Sequence, residues 1–259
     1  MKKLILTSIF VFGFVLVAQP PAGGGRGHGG FGPGFGPESR MMMAGPASRT
    51  PVTGAPYSAV QTRQFQQALS GGNQISRQEQ VKVYRDSSGR VRTEATFTRP
   101  GSTTAQTMIS VFDPVGGYSY MLNPAKASAV RTALPQANQA HTERAPGNRS
   151  RTAQVQTENL GTQTVNGVAA TGTRTTEMIA AGAIGNAQPI QVVREVWVSV
   201  DLKVPVMIKS SDPRFGNTVM QLTNIVQSEP DAALFQVPAN YTVTTRGEGF
   251  GSGRGHRQQ

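Results

Sequence analysis

Histidine and cysteine, the residues that carry most nucleophilic and metal chemistry, are scarce in this sequence. It has 3 histidines and no cysteine in 259 residues. The absence of cysteine excludes thiol catalysis, disulfides, cysteine-ligated zinc and lipid attachment to a cysteine. His28 and His256 lie in glycine-rich ends of the chain, and His141 stands beside Glu143 and Arg144 in a polar, proline-bearing stretch. A histidine-dependent hydrolase would rest on His141 alone. No G-x-S-x-G elbow and no G-x-x-x-x-G-K-[ST] phosphate loop occurs. Residues 27–32 match G-x-G-x-x-G by letter, but the match sits in a glycine tract with no strand before it and no helix after it. Asp86, Asp113, Asp201, Asp212 and Asp231 are spread along the chain, and four of the five neighbour Pro, Gly or Ser at turn-like positions. Such carboxylates bond nearby backbone amides, whereas a glycosidase pair or a calcium cluster requires that they be brought together. Met41, Met42 and Met43 offer soft thioethers, but three adjacent side chains do not make a defined site. The expectation is a protein that is not an enzyme and uses no cofactor and no metal.

The residues suited to binding are apolar. Trp197, the only tryptophan, lies in the strand-like run 192–200. One reading makes it a packing residue of a β core, since large aromatics anchor such cores. The other makes it part of a concave ligand pocket with Phe112, Met207, Ile208 and Met220, because methionine adapts to irregular apolar ligands. Parity places Glu195 on the same face as Trp197, which is awkward for an apolar pocket.

The elements that must position these residues read as strands. Residues 78–85 alternate, with Val81 and Val83 opposite Lys82 and Tyr84. Runs at 91–98, 107–112, 118–122, 192–200, 204–209 and 218–226 are rich in β-branched and aromatic residues, and 57–69 is assigned to a strand as well. Ser70-Gly71-Gly72-Asn73, Asp86-Ser87-Ser88-Gly89 and Asp113-Pro114-Val115-Gly116-Gly117 are hairpin turns in type. Asn166-Gly167 is the strongest two-residue hairpin signal, and residues 212–217 set proline early and glycine late in a turn. Residues 135–151 and 179–189 read as long loops. Hairpin connections leave no room for repeated crossover helices. Roughly ten strands must curl or close. The predicted fold class is mainly β: a single antiparallel open half-barrel sheet with long loops and disordered glycine-rich tails.

Four segments follow from composition. Residues 1–18 have a basic start, an apolar run and Ala18 before Gln19, the layout of a secretory signal peptide. The run is shorter than the roughly 18–20 apolar residues of a membrane span. Cleavage after Ala18 leaves no transmembrane span, and an uncleaved anchor is the other reading. Residues 19–56 form a Gly/Pro-rich disordered linker, 57–245 the β domain, and 246–259 a disordered Gly/Arg tail. The formal net charge is +11. The two tails hold Arg26, Arg40, Arg49, Arg246, Arg254 and Arg257 against Glu38 and Glu248 only. Interleaved Gly, Arg and Phe resemble nucleic-acid-binding segments, but export removes intracellular nucleic acid as a partner. An anionic envelope polymer such as lipopolysaccharide or polysaccharide remains, beside the plain role of a soluble spacer.

From Leu160 onward a set of motifs appears: Leu160-Gly161-Thr162, Asn166-Gly167, Glu195-Val196-Trp197, Val204-Pro205-Val206, Leu222-Thr223-Asn224-Ile225, and a closing Phe235-Gln236-Val237-Pro238-Ala239-Asn240-Tyr241. With Arg85-Asp86-Ser87-Ser88-Gly89-Arg90 and Asp113-Pro114, this resembles an uncharacterised family of exported bacterial proteins. More distantly it resembles the periplasmic lipoprotein-carrier, or lipoprotein-sorting, superfamily. That resemblance implies an antiparallel half-barrel with a hydrophobic concave face, located in the periplasm or outside the cell. It implies a lipid or an acylated protein as partner.

Overall fold

The computed structural model describes residues 51–98, 102–134 and 153–246. All described residues belong to one compact unit. The expected signal peptide, His28, His141, His256, the methionine triplet and nearly all of both tails lie outside the described residues.

Alternation and turn chemistry produce twelve strands: β1 Tyr57–Ala68, β2 Gln74–Arg85, β3 Val91–Thr98, β4 Ala105–Asp113, β5 Tyr118–Asn123, β6 Ser128–Ala133, β7 Ala153–Val165, β8 Val168–Ile179, β9 Ile190–Ser199, β10 Pro205–Asp212, β11 Gly216–Val226 and β12 Thr242–Thr245. They form one sheet in the order β12-β6-β5-β4-β3-β2-β1-β11-β10-β9-β8-β7. β12 and β7 are its two edges, so the sheet is open. Neighbours are antiparallel except β12, which lies parallel to β6. The mainly β, open half-barrel expectation holds, with two strands more than the ten expected. β6 and most of β7 were not legible because SAVRTA and AQVQTENLGTQT carry few large apolar residues.

The turns form as their residues dictate. Asn166 and Gly167 both have positive φ, 50° and 88°, the geometry of a type I′ hairpin. The Asp113 carboxylate accepts the amides of Val115 and Gly116. Asp86, Asp212 and Asp231 accept those of Arg90, Arg214 and Ala233. Four of the five aspartates thus act in turns, as their neighbours in sequence imply. Ser70–Gly72 makes a single 3-10 turn between β1 and β2. The loop after β8 is held by Asn186, whose amide nitrogen donates to the carbonyls of Ala180 and Gln188.

Two buried clusters pack the sheet. One cluster joins Tyr57, Ala59, Val81, Val83 and Val91 to Leu202, Val204, Val206 and Leu222. A second joins Ile109, Val111, Leu122 and Ala129 to Phe235. Phe235 ends the 3-10 helix Ala232–Phe235, and Leu234, Val237 and Tyr241 pack there as well. Arg92 donates to the Leu234 carbonyl at 2.7 Å and ties this segment down. The chain then continues into β12 beside β6.

Candidate functional site

Registers decide which side chains share a surface, because residues directly opposite in a ladder point the same way. Met220 pairs with Arg63 of β1, which pairs with Glu79 of β2. Val81, two residues on, pairs with Ala95 of β3, and Val91 pairs with Phe112 of β4. Met220 and Phe112 therefore lie on one face, with Ile208, the partner of Met220 on β10. Arg85 lies on that face too, opposite Tyr57.

Arg85 shows which way the sheet curls. Its Nη2 donates to the carbonyl of Leu202 at 2.6 Å, and Leu202 lies in the turn between β9 and β10. Strands are spaced about 4.8 Å apart, so in a flat sheet β2 would be roughly 14 Å from that turn, beyond the reach of one side chain. The contact brings the β9–β10 turn over the face of Arg85, Phe112 and Met220, which is taken as the inner face of the half-barrel. The hairpin tip between β7 and β8 reaches back similarly: Asn166 donates to the Leu222 carbonyl at 2.8 Å.

Arg85 is only 2% exposed. Its Nε and Nη2 donate to the Ala55 carbonyl at 2.9 and 2.7 Å, and its guanidinium lies 4.8 Å from the centre of the Tyr57 ring. Among the described residues no carboxylate forms a salt bridge with it. Burial lowers the Arg85 pKa from its ordinary value and raises that of the Tyr57 hydroxyl, the latter against the pull of the Arg85 charge. Backbone carbonyls and a ring face thus hold a buried cation at one end of the inner face. The sequence carried a signal for this: Arg85 follows Val81 and Val83 at the same parity, the next inward position of β2.

The apolar wall lies on β3 to β6. Met121 is paired with Val130 and lies diagonal to both Met108 and Phe112, while Phe97 lies diagonal to Met108. Met121, Val130 and Phe97 are 38, 40 and 37% exposed. The opposite face of the same strands is covered by the segment that contains Phe235. Composition did not single out Met108, Met121 or Val130, because half-exposed apolar residues of short strands look in sequence like those of any hairpin.

Trp197 and Met207 are elsewhere. They oppose each other in register and sit on the outer face, in line with Gln221 and Thr62. Of the five residues expected to share a pocket, register puts Phe112, Ile208 and Met220 on one face and Trp197 and Met207 on the other, while Phe112 and Met207 both pack against the buried cluster that holds Trp197. Trp197 is buried in the larger cluster. Glu195 does share its face, as parity required, and is held by Arg174 at 2.7 Å with Lys209 at 4.0 Å. Among the described residues no group of three or more His, Asp or Glu is placed to hold a metal ion. No described helix is long and apolar enough to cross a membrane.

No protein-family model matches the chain, and no curated protein matches it in sequence. Solved structures do resemble it. An uncharacterised conserved protein from Thermus thermophilus shares 13% identity at a TM-score of 0.39, over 74% of this chain and 91% of that one. The Pseudomonas aeruginosa MucA/MucB complex gives 13% identity at 0.38, over 74% of this chain and 59% of that one, so this chain spans less than two thirds of its length. A LolA superfamily protein from Nitrosomonas europaea gives 11% identity at 0.31, over 77% of this chain and 96% of that one.

Proposed function

We propose that this is a non-enzymatic exported envelope protein that holds an apolar ligand, or the acyl chain of a lipoprotein, on the inner face of its sheet. One observation carries the reading: Phe97, Met108, Phe112, Met121 and Val130 share the inner face as a partly exposed apolar strip, with Ser110 among them. The outer side of the same strands is capped by the chain's own C-terminal segment, so the inner strip is the apolar surface left for something else. Contiguous exposed apolar patches on soluble domains mark binding surfaces. Phe112 belongs to this site, Met220 is buried on the same face, and Trp197 is a packing residue of the larger cluster.

The test is native mass spectrometry of the protein purified from its own envelope, followed by denaturing extraction. A stoichiometric lipid or acylated peptide is expected, and delipidated protein should gain thermal stability when acyl chains are added, as linkage requires. A clean apo mass with no stabilisation at saturating acyl ligand would overturn the reading.

A second reading rests on the arginines of the tails, six against two acidic residues. These segments would hold an anionic envelope polymer. Binding should then weaken steeply with salt and disappear when residues 19–56 and 246–259 are removed.

A further inference from the structure

One polar side chain is set into the apolar centre of the inner face. Gln61 of β1 is 3% exposed. It stands in register between Val81 of β2 and Leu222 of β11, both buried. Its Oε1 is buried and has no hydrogen-bond partner among the described residues. An orphaned buried carbonyl costs on the order of 1–3 kcal/mol, and a leucine at this place would carry no such cost. Val81, Leu222 and the neighbouring Met220, themselves buried, bring no polar side-chain group to it.

We propose that Gln61 is the polar anchor of the inner face. Its amide oxygen accepts a hydrogen bond from a donor at the head end of an acyl chain, either an amide N–H or a hydroxyl, while the chain lies toward Met121 and Val130. The proposal rests on the reading of the inner face as an acyl site and narrows it: the preferred ligand is an N-acyl amide or a hydroxyacyl compound rather than a plain hydrocarbon or simple ester. A buried carbonyl acceptor without a partner discriminates strongly between ligands that bring a donor and ligands that do not.

The experiment uses the delipidated full chain and calorimetric titration with matched 12-carbon probes. N-methyldodecanamide is compared with N,N-dimethyldodecanamide, which keeps the carbonyl and lacks the donor. Methyl 3-hydroxydodecanoate is compared with methyl dodecanoate. The expected result is a preference of about 3- to 10-fold for the donor-bearing member of at least one pair, the size of one neutral hydrogen bond. The pair that shows it distinguishes an amide from a hydroxyl ligand. Gln61→Leu, with Gln61→Met as the unbranched companion, should abolish the preference and leave binding of the donor-free probe intact. The free variants should melt no lower than the parent, because the orphaned group is gone. Equal binding within both pairs, or a preference that survives in both variants, overturns the role of Gln61 and leaves the acyl site standing. Failure of every probe to bind overturns the acyl site and Gln61's role with it.

Discussion

Gly172 and Trp197 oppose each other across β8 and β9, and the indole occupies the space that a side chain at 172 would need. A Cβ built on Gly172 would lie 2.6 Å from Cζ3, 2.7 Å from Cη2 and 2.8 Å from Cε3 of the ring. Three ring atoms inside van der Waals contact cannot be relieved by the swing of a flexible tip, so the indole must move as a body. Gly172→Ala is therefore expected to destabilise the domain by about 1–3 kcal/mol, the usual cost of overpacking. Trp197 is the only tryptophan, so its emission reports the displacement directly. A urea midpoint equal to the parent's, with unchanged emission, would show that the ring does not lie on Gly172.

Arg85 makes a prediction of the opposite kind, in which a side chain is lost rather than gained. Its guanidinium bridges the carbonyls of Ala55 and Leu202, joining the segment before β1 to the turn after β9. Arg85→Met keeps much of the bulk but leaves both carbonyls without this donor, and should cost about 2–4 kcal/mol. Arg85→Lys retains the charge, but a single ammonium cannot reproduce the planar fork, so its unfolding midpoint should fall between the two. A methionine variant as stable as the parent would mean that these bonds do not hold the closed end together.

The same corner sets an alkaline limit. Burial raises the Tyr57 pKa above its ordinary value, with the Arg85 charge opposing. The folded state thus favours the neutral phenol more than the unfolded chain does, where ionisation occurs near pH ~10. The stability linked to Tyr57 is present in full below that unfolded pKa, and it is lost as pH rises from there through the folded value. Denaturation of the parent and of Tyr57→Phe, compared from about pH 8 to about pH 11, should show a steeper alkaline loss in the parent. Both proteins carry Arg85, so the difference isolates the phenol. Parallel curves would exclude a buried, neutral Tyr57 as the cause.

Much of the sheet was legible because strand signals are local. Residues 91–98 were bounded correctly by β-branched residues between two turns, and Asn166-Gly167 announced its hairpin. The site was legible only in part because a face is a property of register across many strands. Trp197 and Met220 look equally suitable in sequence. They part because Trp197 pairs with Met207, whereas Met220 pairs with Ile208 one position further along β10, and a shift of one residue reverses the face. The parity of Arg85 was legible but its role was not: its partners are backbone carbonyls 30 and 117 residues away, and carbonyls leave no mark in composition.

The inner strip can be tested without disturbing the core. Met121 and Val130 are paired across β5 and β6 and more than a third exposed, so a charge placed at either is hydrated in the free protein. Met121→Asp should change stability by less than about 1 kcal/mol, as exposed substitutions usually do. A ligand chain laid along the strip would have to bury that carboxylate against hydrocarbon, which is strongly unfavourable. The thermal stabilisation that acyl ligands give the parent should therefore be much reduced or lost in Met121→Asp and in Val130→Asp. It should persist in Val155→Asp, a more exposed position on the edge strand β7 and away from the strip. Undiminished stabilisation in both strip variants would place the ligand somewhere other than β5 and β6. Loss in all three would point to a general effect of negative charge rather than to a site.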